Sequence, residues 1–255
     1  MRRRVTIDGL IFDGVARYGA TGCYLIGPDG LTGWDDGPES RRTEVPRPVA
    51  YGSFDAPEFL SSRVYVITGT LLASTPQELR VMKDRLKGVL NGARRGKLTV
   101  EDDLGTRWAW VRRAGTPRVA EKGMTATAAE FSVTFWAPDP WQYGQYREFT
   151  NSPAQVLQRG NEHAVPIVDV EGNMPTGYTI SSQGKQYIVS QPLLTGQTHR
   201  IDMRTGWLYR NGSLQSSAVE KVETFTIPPN KLTPVGLTPA SGLGMLWVKL
   251  HDTFV

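Results

Sequence analysis

Cysteine is almost absent from this sequence: Cys23 is the only one in 255 residues. No intramolecular disulfide can form and no cysteine-based zinc site can be assembled, so Cys23 reads as a small buried apolar residue. Histidine is nearly as scarce. His163, His199 and His251 all lie in the C-terminal half, and none stands in a His-x-His or His-Glu-x-x-His spacing, so a metal site lacks its ligands. His199 alternates with Ile201, which suits a hydrogen-bonded strand residue better than a ligand. Long apolar runs are missing too: no stretch approaches the roughly 18 residues that a membrane-spanning helix needs. The opening Met-Arg-Arg-Arg-Val-Thr-Ile-Asp follows its charges with alternation and not with an apolar core, unlike a signal peptide. The expectation is a protein made in a cytosol and kept there unless a larger assembly carries it out.

Charge of one sign is not in excess either. Lysine and arginine number 29 against 25 acidic residues, a net charge of +4. The basic residues are scattered in pairs, Arg41-Arg42, Arg94-Arg95 and Arg112-Arg113, whereas a nucleic-acid reader gathers them. Catalytic patterns are also lacking. No serine lies in Gly-x-Ser-x-Gly, and Gly52-Ser53-Phe54-Asp55 is not followed by a helix former. Asp35-Asp36 and Asp102-Asp103 adjoin glycines and read as turns; neighbours on a strand would point to opposite faces, which no carboxylate pair acting on a sugar can do. Gly27-Pro28-Asp29-Gly30 is a β-turn signature and no phosphate loop. The reading is a protein with no catalytic residues, no cofactor and no metal: not an enzyme.

What is present is a succession of short alternating segments divided by Gly, Pro, Asn and Asp, the pattern of a mainly antiparallel β protein. Residues 63–72 form one strand. Lys97–Val100 and Thr106–Arg113 make a hairpin around Glu-Asp-Asp-Leu-Gly. In 127–136, Phe131, Val133 and Phe135 share a core face. A single helix interrupts the strands. Thr75-Pro76-Gln77-Glu78 is a capping box with proline at the first helical position, Leu79, Met82, Leu86, Val89 and Leu90 recur at helical spacing, and Asn91-Gly92 closes it. Pro138-Asp139-Pro140-Trp141 ends a strand, and the weakly periodic segment 143–159 places a domain boundary near residue 150. Beyond it, strands at Val165–Val170, Tyr178–Ser181, Gln186–Val189, His199–Met203, Trp207–Tyr209, Phe225–Ile227 and Leu246–Leu250 suggest a sandwich or jelly roll; 228–244 hold too much Pro and Gly for a helix. Trp108 and Trp110 share a strand face with Arg112 beyond them. Core burial, subunit contact and stacking on a sugar ring all remain open for them.

The chain resembles the distal tail proteins of long, flexible, non-contractile phage tails. The likeness is carried by Trp34, Gly37-Pro38 and Arg47-Pro48-Val49-Ala50-Tyr51-Gly52-Ser53-Phe54-Asp55-Ala56-Pro57, then the strand ending Ile67-Thr68-Gly69-Thr70, the capped helix, the Trp/Arg-rich hairpin, and Ala137-Pro138-Asp139-Pro140. Later carriers are Gly160-Asn161, Pro166-Ile167, the hairpin from Ile201 to Gly212, and Phe225-Thr226-Ile227-Pro228-Pro229. The resemblance implies a mainly β chain of two parts. Residues 1–150 would form a tail-tube-like β-sandwich or split barrel with one α-helix, and 151–255 a galectin-like β-sandwich (jelly roll). It further implies a homohexameric ring at the tail tip that joins the tail tube to the baseplate or tail-fibre hub. Expected partners are other copies of the chain, the tube protein, the hub or tail-associated protein and receptor-binding proteins. DNA would only pass through the channel, no membrane would be involved, and the protein would reside in the virion after assembly in the host cytoplasm. Heterologous ring contacts need two complementary patches, which places Arg94, Arg95, Arg112 and Arg113 near subunit or tube interfaces. The competing reading is a carbohydrate-binding β-sandwich protein.

Overall fold

The computed structural model describes residues 3–14, 21–55, 57–124 and 126–255, with only the backbone of Cys23, Leu25 and Pro28. The expected burial of Cys23, and Ala56 of the Gly/Pro loop, lie outside the described residues. The chain is mainly β and divides into two compact units, Met1–Gln142 with Val255, and Tyr143–Phe254. This division stands ahead of residue 150, because Gln142–Thr150 forms a regular strand where the sequence shows little periodicity.

Unit 1 contains β1 (Arg4–Ile7), β2 (Leu10–Asp13), β3 (Cys23–Thr32), β4 (Ser40–Arg41), β5 (Phe59–Leu60), β6 (Arg63–Leu72), α1 (Pro76–Gly88), β7 (Arg95–Asp102), β8 (Gly105–Lys122) and β9 (Ala128–Ala137). The strand β8 is longer than its alternation suggests and serves two neighbours. Gly105–Arg112 pairs with β7, and Arg112–Lys122 pairs with β9 across a register shift between Ala114 and Arg118. One layer therefore runs β8-β7-β1-β2 and the other β3-β6-β9-β8, with a short parallel pairing of β2 and β3 as a second link. Inward side chains follow the period of two: Val5, Ile7, Leu98 and Val100 from the first layer, Tyr65, Ile67, Phe131, Val133 and Phe135 from the second. Phe12 meets both Tyr24 and Phe131 with ring centres 5.5 Å apart. The Gly27–Gly30 turn sits as a bulge within β3, between the pairs Ile26–Gly69 and Leu31–Ile67.

The helix starts where the capping signal puts it. Thr75 Oγ1 accepts the Glu78 N–H at 3.1 Å, and Glu78 Oε2 reaches back to the N–H of Ser74 at 2.6 Å. Leu79, Met82 and Leu86 are buried, and the Tyr24 hydroxyl donates to the Met82 carbonyl at 3.1 Å. The end differs from the expected Asn91-Gly92 closure, since α1 stops at Gly88 and Leu90 takes the left-handed conformation, φ 46°. Leu90 is held there because its side chain fills the core and its N–H donates to Asp8 Oδ2 at 3.0 Å. Asp8 itself occupies the Asp8-Gly9 turn that joins β1 to β2 with two positive φ angles.

Between β3 and β6 the chain leaves the body of unit 1 as a hairpin arm. β4 pairs with β5, Pro46 bridges Ser53, Phe54 N–H donates to Val45 O at 2.9 Å and Arg47 N–H to Gly52 O at 3.0 Å. Every described residue from 39 to 59 is exposed except the half-buried Ser53. Its root, by contrast, is locked. Arg63, the first residue of β6, is 4% exposed and donates to the carbonyls of Gly33, Trp34, Asp36 and Pro140. Its guanidinium also lies over the Tyr65 ring, 5.7 Å from the centre. Gln142 Nε2 donates to Trp34 O at 2.7 Å, the Trp34 and Tyr65 rings stand 5.1 Å apart, and Arg3 forms a bidentate pair with Asp35 at 2.9 and 3.1 Å.

Unit 2 contains β10 (Gln142–Thr150), β11 (Ala154–Val156), β12 (Ile167–Asn173), β13 (Tyr178–Ser182), β14 (Lys185–Val189), β15 (Thr198–Asp202), β16 (Trp207–Arg210), β17 (Ser213–Leu214), β18 (Val219–Val222), β19 (Thr233–Pro239) and β20 (Leu243–Phe254). Two sheets, β17-β16-β15-β12-β20-β10 and β11-β19-β13-β14-β18, enclose a second core. The expected strand at Phe225–Ile227 is instead a single bridge from Ile227 to Ala164, and the proline-rich 233–239 is a paired strand. Pro234 is tolerated because it pairs with Gln155 of β11 alone, where it supplies no donor to β13. Asn211-Gly212, φ 47° and 85°, makes the two-residue turn between β16 and β17. Gly160 is fixed by close approach: a Cβ there would stand 1.8 Å from the Thr253 carbonyl oxygen. Two buried tyrosines tie the sheets together. Tyr187 OH donates to Gly206 O at 2.8 Å, and Tyr178 OH shares a 3.0 Å hydrogen bond with His199 Nδ1.

Replacing Arg63 with Leu strands its four carbonyl partners, and the unit 1 unfolding transition in urea is expected to lose about 3 kcal/mol. His199 is fully buried and its Nε2 has no polar partner. Burial, with a smaller contribution from Arg210, pushes its pKa down to about 4 from 6.5. Because the folded value lies below the unfolded one, the stabilisation is complete above pH 6.5 and is lost as pH falls toward 4, about 3 kcal/mol in all. A thermal melt of unit 2 followed across that interval should show the decline, and His199→Phe should flatten it. An unchanged slope in the variant would remove His199 from the account.

Candidate functional site

The outward faces of β7 and β8 bring together the residues that the sequence marks as interface candidates. Arg95, Lys97 and Thr99 of β7 stand opposite Arg112, Trp110 and Trp108 of β8. Arg95 lies over the Trp110 ring at 4.6 Å and Lys97 over the Trp108 ring at 4.4 Å, while the two indoles meet edge to face at 5.7 Å. This ladder of cations on aromatic faces holds both tryptophans on the solvent side of the sheet, partly covered, so the core reading of Trp108 and Trp110 does not apply. The row continues over the sheet: Arg95 pairs with Arg112, Arg112 with Trp136 of β9, and Trp136 with Val64 of β6. One cross-strand line thus carries two guanidiniums at one end and two exposed apolar side chains at the other.

The four candidate arginines divide by task. Arg94 pairs with Asp8 at 2.9 Å and donates to Asn91 O at 3.2 Å. Arg113 donates to the Lys87 carbonyl at 2.6 Å and to Asn91 Oδ1 at 2.7 Å, capping the negative end of α1. Arg112 donates to the Ala93 carbonyl. The loop 89–94, which leaves the helix in a left-handed turn, is therefore pinned by three guanidiniums, its own Arg94 and Arg112 and Arg113 of β8. Only Arg95 spends its charge wholly on an aromatic ring at the surface. Spacing alone cannot reveal this, since Arg113 and Lys87 are brought together by the packing of α1 near β8.

Unit 2 has a polar face of its own that the sequence did not mark. Asp169 of β12 is buried between Arg200 (2.7 and 2.8 Å) and Lys249 (2.9 Å). Burial works to raise the Asp169 carboxyl, and the bonds from Arg200 and Lys249 outweigh it, leaving it below the ordinary carboxylate value. Nearby, the Tyr146 hydroxyl is raised by burial and by its 3.0 Å bond to Glu148. Such a set of ion pairs fixes the register of three strands.

The three histidines stay apart in their bonding: His163 with Thr226 Oγ1 at 3.0 Å, His199 with Tyr178, and His251 with the Gly144 carbonyl at 3.1 Å beside the rings of Tyr143 and Tyr146. Among the described residues, no three of His, Cys, Asp and Glu gather where a metal could be held. Asp102 and Asp103 sit in the β7–β8 turn, with Asp102 Oδ1 accepting the Leu104 N–H at 2.9 Å. A hollow of unit 1, about 620 Å³, opens over the β3 bulge between Asp29, Thr68, Arg118 and Glu130. No helix of the described residues is long and apolar enough to cross a membrane. The geometry offers surfaces for association.

No protein-family model matches this chain, and no curated protein matches it in sequence. Solved structures do. The chain is similar to the Dit protein of phage SPP1, described as a paradigm of the hub adsorption apparatus in phages that infect Gram-positive bacteria, with a TM-score of 0.75 and 14% identity over 99% of both chains. It is also similar to a chain of the phage P2 baseplate in its calcium-activated conformation, with a TM-score of 0.53 and 9% identity over 98% of both chains. At such identities the likeness is one of fold, and it spans both compact units. The chain has the fold of a phage distal tail protein.

Proposed function

We propose that this chain is a structural subunit of a phage tail tip, an adaptor of the distal-tail type and not an enzyme. The observation that carries the reading is the fold match to the SPP1 Dit protein across nearly the whole of both chains. A fold hosts many functions, so surfaces must supply the rest of the argument. Unit 1, the tail-tube-like part, builds a ring of six copies around a channel for DNA. Unit 2, the galectin-like part, offers docking points to hub and receptor-binding proteins. The tube protein binds above and the hub below. Two features favour assembly over catalysis: an arm with no cover of its own, and a cation–tryptophan face of the composition that interfaces favour.

Within the candidate interface set, Arg95 and Arg112 are the members assigned to contact between subunits or with the tube, whereas Arg94 and Arg113 act inside the chain. The paired test follows from this division. Arg95→Glu should shift the sizing profile of the assembled protein while leaving its melting temperature within a degree or two, and Arg112→Glu should shift it too but also lower stability by about 1 kcal/mol from the lost bond to the Ala93 carbonyl. Arg113→Glu should instead cost about 1–2 kcal/mol of unit 1 stability, from the lost helix cap. Negative-stain microscopy of the full chain, alone and co-expressed with the tube and hub proteins, should show six-fold rings. A monomer that ignores those partners and binds polysaccharide tightly would overturn the reading in favour of a carbohydrate-binding sandwich.

A further inference from the structure

The arm between β3 and β6 exposes several large apolar side chains, with Arg47 lying over the Phe54 ring 5.8 Å from its centre. Val49 and Tyr51 at its tip are fully exposed, and Val45, Phe54 and Phe59 are about half exposed or more. Single exposed apolar residues are ordinary, but five on one hairpin form a patch that marks an interaction site. Its root is not loose, because Arg63 fixes Gly33, Trp34 and Asp36, so docking the arm would sacrifice little conformational freedom.

We propose that the arm docks on a second copy of this chain, with the Val45–Phe54 pair and the tip laid against Val64 and Trp136. This rests on the ring-forming reading above and adds to it the surfaces that join neighbours. Both halves of the contact are present on one sequence. Val64 and Trp136 are cross-strand partners, 49% and 39% exposed, and their row continues to Arg112 and Arg95. Glu44 and Asp55 flank the Val45–Phe54 pair directly. Among the described residues neither Glu44 nor Asp55 meets a cation, and neither Arg95 nor Arg112 meets a carboxylate. Apolar surface thus faces apolar surface, with opposite unpaired charges beside it. The arm cannot satisfy its own chain's patch. Val64 directly follows Arg63, so folding the hairpin back on it would reverse the chain at the clamp and break the four carbonyl bonds. A donating arm and a separate receiving face make a heterologous contact, the kind that closes rings.

Cysteine cross-linking of the full chain tests this, since Cys23 is the only native thiol to remove. Two populations are prepared in a Cys23→Ser background, or Cys23→Ala where the first folds poorly: one carries Val49→Cys, the other Val64→Cys. A short bifunctional maleimide should give a linked dimer at least tenfold more abundant in the mixture than in either population alone. Phe54→Ser and, separately, Val64→Thr should each weaken association at least tenfold in sedimentation equilibrium with an unchanged melting temperature. Rings that persist without the Val49–Val64 link would overturn the arm contact and leave the ring reading standing. A wild-type chain that stays monomeric, alone and with tube and hub proteins, would overturn both. Linking of Val49→Cys to a co-expressed tube or hub protein, in place of Val64→Cys, would overturn the second copy as the occupant while the tail-tip reading survives.

Discussion

A buried guanidinium bonded to backbone carbonyls organises unit 1. Removing a cation from water costs several kcal/mol unless hydrogen bonds replace the lost hydration, and Arg63 finds them in four backbone carbonyls and an aromatic face. Three of those carbonyls belong to Gly33–Asp36 and the fourth to Pro140, so one side chain joins the exit of β3, the start of β6 and the turn after β9. Each of those segments is irregular and would otherwise present unsatisfied oxygens to the core. The arm can protrude as an ordered hairpin because its root is bound in this way, even though nothing covers its length.

The same economy of charge recurs around the helix. Asp8 takes the N–H of Leu90 and the guanidinium of Arg94, and Arg113 takes the last carbonyls of α1. The helix end is thereby tied to the β1–β2 turn and to β8, and the left-handed Leu90 can turn its side chain inward. Charges that look like surface decoration in the sequence hold a connection in place. On the far side of β7 and β8, Arg95 and Lys97 lie over aromatic rings and Arg112 donates to backbone.

In unit 2 the burial of polar groups joins two sheets. Tyr187 donates across the core to the Gly206 carbonyl, Tyr178 shares a hydrogen bond across it with His199, and within one sheet Asp169 binds two cations from neighbouring strands. A polar group buried with its partner satisfied restricts the packing to one arrangement, which an all-apolar core does not. His199 Nε2 and Gln191 Oε1 are left without partners within this set.

The period-two alternation of 63–72 and 127–136, the capping box at Thr75 and the Asn-Gly turn at 211–212 were legible in the sequence because each is a local signal read over a few residues. The mainly β class with one helix, and the lack of any catalytic spacing, follow from the same local chemistry. The extension of β8 to Lys122 was not legible, because its second half gains a partner, β9, that lies beyond it in the chain and accepts a bulge. The strand 233–239 was hidden by its prolines, which only the pairing pattern of β19 excuses. Nor could the sequence separate Arg95 from Arg94 and Arg113, or show that Arg63 is buried: an arginine's task is set by which carbonyls and rings folding brings within its reach. The sequence by itself determined the elements and the order in which they come. Only the tertiary structure decided which charged and apolar side chains are used up inside the chain and which are left for a neighbour, because burial and partnership are properties of residues far apart in sequence.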